Sequence, residues 1–353
     1  MIKGFESSLF STQNNALNGS WAKGERERWE IVTAGFGEMD LSEEAVPLMR
    51  EATRTDPADR SKFQQDTIDR CVLDVLSFDA AHYGCPDELE IEVRVHVPPL
   101  SDSAEQDRVL RRGIIYFHGG AFILWNASDF DYQASLKAIA CDSVVFNVDY
   151  RSPPEARSPK GIMDCCAAVR FICDQLLDEY GVDPQRLCLN GESSGGYLAV
   201  GAAMHMAKTG DADKLKLLVP DVPAISAHWL DPDDGSGDHW SKNEVMRTSG
   251  DGGHLETLKM LCTDLEHQFA IRDPYVFPGE MPDDVLSKLP QCVVLTNEYC
   301  FLRKDAELFA SRLQSCGKLL DYCVRPGISH YGEIPGVYSD TSSILSKVVK
   351  AYL

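Results

Sequence analysis

Polar residues dominate the first seventy positions, and from Cys71 onward the apolar pattern becomes regular. Residues 72–78 and 90–97 read as strands, the second with strict alternation at Ile91, Val93, Val95 and Val97. Such alternation marks a sheet with one face toward the core, and the two segments look like an antiparallel edge pair. Residues 113–117 and 143–148 are continuous apolar runs, as expected of central strands covered on both faces. A helical stretch at 132–141 separates them. Helices at 161–180 and 198–208 alternate with apolar strands at 187–190 and 215–219, and the C-terminal third adds strands at 291–296 and 319–324 and helices at 304–316 and 339–353. Strands alternating with helices imply a mostly parallel sheet with right-handed crossovers. The expected fold class is therefore α/β, with a central, mostly parallel eight-stranded sheet flanked by helices.

The alternation fails in two places. Residues 1–70 carry helical fragments (43–51) and aromatics at Trp21, Trp29, Phe36 and Phe63, which favour a docked segment, since free tails are poor in aromatics. Residues 227–272 hold a polar turn cluster at 231–237 and a helical run at 255–269, an insertion expected over the strand ends. The expected organisation is an N-terminal segment, 1–70, and a sheet domain, 71–353, interrupted at about 227–272.

Length and composition narrow the picture. At 353 residues and 44% hydrophobic, the chain can bury a substantial core. Its 34 basic and 55 acidic residues give a net charge of −21, which argues against nucleic acid as a partner. The first residues lack a signal-peptide core, and no apolar run approaches the length of a membrane span. Twelve cysteines are dispersed without a C-x-x-C or a zinc spacing, so they read as small buried hydrophobes in a reducing compartment, and a cytoplasmic protein is expected. No metal or other cofactor is implied, and a homodimer is compatible with these features.

The chemistry concentrates at 187–196, Leu-Cys-Leu-Asn-Gly-Glu-Ser-Ser-Gly-Gly. A strand ends in a G-x-S-x-G turn and a helix follows, the context that lifts a serine above a sheet. Ser193 is the candidate nucleophile, and Ser194, which lacks a glycine two residues before it, is not. Directly after the strand at 113–117 comes His118-Gly119-Gly120-Ala121-Phe122. In an acyl-transfer enzyme the N–H groups of Gly119, Gly120 and Ser194 would hold a developing oxyanion, with His118 bracing the loop. An ordinary Gly-rich turn is the plain alternative, weakened by the pairing with the serine turn. His330 follows the last strand, in the nucleophile–acid–base chain order, and is the candidate base.

Taken together, His-Gly-Gly-Ala-Phe at 118–122, Asp149-Tyr150-Arg151 with Pro154-Glu155, Gly-Glu-Ser-Ser-Gly-Gly at 191–196 and His330 resemble the hormone-sensitive-lipase-like branch of the α/β-hydrolases, from about residue 72 to the C-terminus. The resemblance implies an α/β-hydrolase fold and a serine carboxylesterase acting on short- to medium-chain acyl esters. It further implies a helical cap built from the two irregular segments, structural anchors at Asp164 and Glu155, and a pocket near Phe122, Trp125 and Tyr197, although plain packing accounts for those three aromatics equally well. One departure stands out. Glu298-Tyr299-Cys300-Phe301-Leu302-Arg303 aligns with the family's acid segment and puts Cys300 where an aspartate belongs. Glu298 could stand in, Asp305 or Asp221 could approach from elsewhere, or the acid is missing. Glu298 is slightly favoured. A non-hydrolytic or weakly active small-molecule binding protein on the same fold is the alternative function.

Overall fold

The computed structural model describes residues 42–100, 110–227, 254–330 and 338–353. Eight strands form one sheet in the order β1-β2-β4-β3-β5-β6-β7-β8. They are β1 (Val72–Asp79), β2 (Glu90–Val97), β3 (Arg111–Phe117), β4 (Ser143–Asp149), β5 (Val182–Glu192), β6 (Leu217–Asp221), β7 (Gln291–Tyr299) and β8 (Leu319–Ser329). β1 pairs antiparallel with β2 and β2 antiparallel with β4, while every other pairing is parallel.

The continuous apolar runs are explained by burial on both faces. Ile114 and Tyr116 of β3 point toward helices α3 (Asp131–Cys141) and α10 (Tyr338–Tyr352), in a core with Ala134, Ala138, Leu345 and Val348. Their neighbours Ile115 and Phe117 point the other way, into the core shared with α4 (Lys160–Phe171) and α5 (Ser194–Thr209). α5 is apolar almost all round, as a helix packed between the sheet and further chain must be. The short helix α8 (Asp283–Leu286) precedes β7, and helix α9 (Arg303–Ser315) covers the same face beside β7 through Ala306, Phe309 and Leu313.

Several boundaries differ from those expected. β6 begins two residues later and runs through Pro220 to Asp221, because Pro220 pairs at the strand's end opposite Gly191. The helix expected over 161–180 is α-helical only to Phe171 and continues as a wider turn over Ile172–Leu176. The run expected at 255–269 is two helices, α6 (His254–Leu261) and α7 (Leu265–Ile271), because Asp264 caps the second by accepting from the N–H of His267. The N-terminal segment adds α1 (Ala45–Ala52) and α2 (Lys62–Ile68), the latter closed by a Ser61–Gln64 capping box. The expectations for Trp21, Trp29, Phe36 and the 231–237 cluster lie outside the described residues.

Both irregular segments meet the short loop between β4 and α4. Arg50 of α1 donates to the Pro153 carbonyl at 2.6 Å and pairs with Glu155. Arg157 donates to the Met260 carbonyl at the end of α6 and pairs with Glu43. The Ser158 N–H donates to the Leu261 carbonyl at 2.7 Å. Among the described residues, no helix is long and apolar enough to cross a membrane.

Candidate active site

β5 ends at Glu192 and α5 begins at Ser194, leaving Ser193 alone in the turn with φ 55° and ψ −118°. That conformation costs on the order of 1–3 kcal/mol for a non-glycine residue and persists only where its surroundings impose it. Here a Cβ on Gly191 would lie 2.1 Å from the Gly195 carbonyl oxygen, and one on Gly195 would lie 2.1 Å from that of Phe117. The close approach of strand and helix is therefore possible only with glycine at both positions. The Ser193 N–H donates to the Asp221 carbonyl on β6, and the Ser193 carbonyl accepts from Tyr197. Ser193 is half-buried and Ser194 buried, so only the first presents a hydroxyl.

The Ser193 Oγ lies 2.9 Å from Nε2 of His330, the residue that follows β8. On the far side of the imidazole, Nδ1 is 3.1 Å from the Sγ of Cys300. The Leu302 N–H also points at this sulfur, at 3.3 Å, and Phe301 leans against the imidazole with ring centroids 4.6 Å apart. Burial pushes the Cys300 thiol well above its ordinary pKa, so it is neutral near pH 7. Glu298 is half-buried on β7, and its carbonyl accepts from Arg303 at 3.3 Å. The other two carboxylates considered from the sequence are engaged elsewhere. Asp305 accepts from the N–H groups of Ile225 and Ser226 and from the Ser226 hydroxyl, each at 2.9 Å, and burial pushes its carboxyl up to about 7. Asp221 pairs with Arg325, both buried, while Arg325 also donates to the Asn297 side chain.

The glycine loop after β3 faces the serine turn: a Cβ on Gly119 would sit 3.6 Å from that of Ser193. His118 is buried between the rings of Phe130 and Tyr150, with centroids 4.7 and 4.5 Å away. Its Nδ1 lies 2.7 Å from the Gly119 carbonyl, and the Tyr150 hydroxyl donates to the His118 carbonyl. Burial lowers the pKa of His118, so the ring is neutral and braces the loop. The Gly120 carbonyl accepts from both Ile123 and Leu124, and φ is positive at Gly120, Ala121, Phe122 and Trp125. Ser194 opens α5, where first-turn N–H groups have no intrahelical acceptor and the helix dipole favours negative charge.

Beside this loop a cleft is lined by Phe122, Tyr150, Ser194, Tyr197, Leu198 and Leu261, among others. Phe122 packs edge-on to Tyr197, whose hydroxyl donates to the Tyr275 carbonyl. Trp125 packs against Phe130. Sequence reasoning missed three groups around the site: the Asp221–Arg325–Asn297 cluster, the pairing of buried Lys137 with Glu192, and Arg50. A lone arginine in the last strand and a lone lysine on an apolar helix face were the available signals for the first two.

A family model described as alpha/beta hydrolase fold matches residues 114–332. Arylacetamide deacetylase-like 2 of Homo sapiens is 35% identical over 278 residues, covering 65% of this chain and 68% of that one. An arylesterase of Saccharolobus solfataricus is 27% identical over 286 residues, 79% of this chain and 88% of that one. A hyperthermophilic esterase from the archaeon Pyrobaculum calidifontis shares the fold with a TM-score of 0.71 at 22% identity, over 92% of this chain and 96% of that one. With the strand order, the serine turn and these matches in agreement, the chain belongs to the α/β-hydrolase fold family, in its hormone-sensitive-lipase-like branch of carboxylic ester hydrolases.

Proposed function

We propose that the chain hydrolyses short- to medium-chain acyl esters through an acyl-enzyme, with Ser193 as nucleophile and His330 as base. The observation that carries this reading is the 2.9 Å contact between the Ser193 Oγ and Nε2 of His330, opposite the Gly119 loop. As Oγ attacks the ester carbonyl, its proton passes to Nε2, and the carbonyl electron pair moves to oxygen. The N–H groups of Gly119, Gly120 and Ser194 hold that oxyanion. Collapse expels the alcohol, which takes the proton from Nε2, and water then repeats the sequence to release the acid. Phe122 and Tyr197, which line the cleft, shape the space around the acyl or alcohol group together with Trp125 at the end of the oxyanion loop. Residues 1–70 with 227–272 form a cap over it, a reading supported by the anchorage of their described parts, 42–70 and 254–272, on the β4–α4 loop.

The geometry favours Cys300 itself, ahead of Glu298, as the partner of His330. With Nδ1–H donating to sulfur, Nε2 is left unprotonated and ready to accept the serine proton. The neutral thiol supplies orientation without the negative charge that a carboxylate would lend the imidazolium. That deficit is the one observation favouring the second reading, a weakly active or non-hydrolytic binding protein.

A panel of p-nitrophenyl esters from acetate to decanoate, with aryl acetates added because relatives carry the names arylesterase and arylacetamide deacetylase-like 2, separates the two. Turnover in the wild type, its loss in Ser193→Ala and phosphonate labelling at Ser193 are expected. Absence of turnover, or labelling at another residue, would overturn the hydrolase reading.

A further inference from the structure

We propose that Arg50, on the N-terminal helix α1, is a positioning residue for the oxyanion loop, an inference that rests on the hydrolytic reading above. The loop from Gly119 to Trp125 has positive φ at four of its residues, three of them not glycine, a shape that its own chain does not favour. Its internal hydrogen bonds converge on a single acceptor, the Gly120 carbonyl, which receives Ile123 N–H at 3.0 Å and Leu124 N–H at 2.8 Å. The Ile123 side chain is fully buried, and its carbonyl accepts from Nε of Arg50 at 2.9 Å. The same guanidinium donates from Nη2 to the Pro153 carbonyl at 2.6 Å and meets both oxygens of Glu155 at 3.1 and 3.2 Å. One planar group thus clasps the loop after β3 to the loop after β4. A lysine could not satisfy three acceptors from one plane.

Neighbouring contacts extend the same attachment. The Thr55 N–H donates to Asp129 at 2.6 Å, and Arg60 donates to the Ser128 carbonyl at 3.2 Å, just beyond the loop. The N-terminal segment is therefore attached both to the oxyanion loop and to the turn that follows it, and among the described residues Arg50 is where it holds the loop's own backbone. Without that donor, the buried Ile123 carbonyl loses its partner and the Gly119 and Gly120 N–H groups lose their fixed aim.

The test is Arg50→Met assayed with p-nitrophenyl acetate beside the wild type. Removing a whole oxyanion donor costs about 10²–10³ in kcat, so loosening the loop should lower kcat by about 10- to 100-fold, with KM little changed. Millimolar guanidinium should restore part of the lost rate in Arg50→Met and leave the wild type unaffected. Glu155→Gln, which leaves the bonds to the Ile123 and Pro153 carbonyls in place, should keep most of the activity. Should Arg50→Met fold poorly, Arg50→Lys serves in its place, and an intermediate kcat is expected. Wild-type kcat in either folded Arg50 variant overturns the proposal, as does a loss that guanidinium leaves untouched. A wild type without turnover would remove the hydrolytic reading itself, and this inference with it. Active wild type with an unaffected Arg50 variant would remove only the clasp.

Discussion

A sulfur atom lies 3.1 Å from Nδ1 of His330, and in the proposed mechanism it orients the imidazole while withholding a charge. Hydrogen bonds to charged groups are worth about 1.5–3 kcal/mol against about 1 for neutral ones. Installing a carboxylate by Cys300→Asp should therefore raise kcat by about tenfold, with KM little affected, and a steady-state comparison checks it. If Glu298 already serves His330, Cys300→Asp should change little, and Glu298→Gln should be damaging in the wild type but mild in the Cys300→Asp background. At this scale the sequence was most readable where a motif is local. Ser193, Gly119 and Cys300 each announce themselves through immediate neighbours. Arg50 does not, because its partners are carbonyls 73 and 103 residues away, and backbone carbonyls carry no sequence signature.

Strands β5 to β8 deliver the site from their C-terminal ends, and one buried cluster keeps those ends in step. Asp221 holds the Ser193 N–H through its carbonyl and Arg325 through its carboxylate. Arg325, five residues before His330 on the chain, also donates to Asn297, whose carbonyl accepts the Cys300 N–H at 3.2 Å. Breaking a buried ion pair by removing one partner costs about 3–5 kcal/mol, because the other charge stays buried alone. Arg325→Met should lower stability by about that amount, and Asp221→Leu combined with it should recover much of the loss; denaturant titration of the three proteins decides. The strands were legible from period and length. The break between α6 and α7 turned on a single capping aspartate inside an apolar pattern, which periodicity alone averages away. The extension of β6 through Pro220 went against proline's ordinary place outside strands, and is tolerated because it falls at the strand's end.

For the molecule as a whole, stability should carry a signature of Asp305. Its carboxyl keeps a proton up to about pH 7 when folded and releases it near 3.8 when unfolded. The folded state binds more protons across that interval, so this contribution is complete below about pH 4 and lost as pH rises through 7. Asp305→Asn offers one oxygen to the two N–H groups and an amide to the Ser226 hydroxyl without titrating. It should gain stability relative to the wild type at pH 8 and little at pH 5, as melting temperatures at the two values would reveal. The large-scale plan, a sheet with two irregular segments, was readable because the alternation stops at those segments. What they rest on was not, because that depends on side chains meeting across the chain. Among the described residues, both segments are fastened to one short stretch, Pro153 to Ser158, by arginine side chains and one backbone bond. A chimera that exchanged these segments for those of a relative would thus have to transplant fasteners as well as helices: a donor able to replace Arg50 at the Ile123 carbonyl, and a helix end able to receive Arg157.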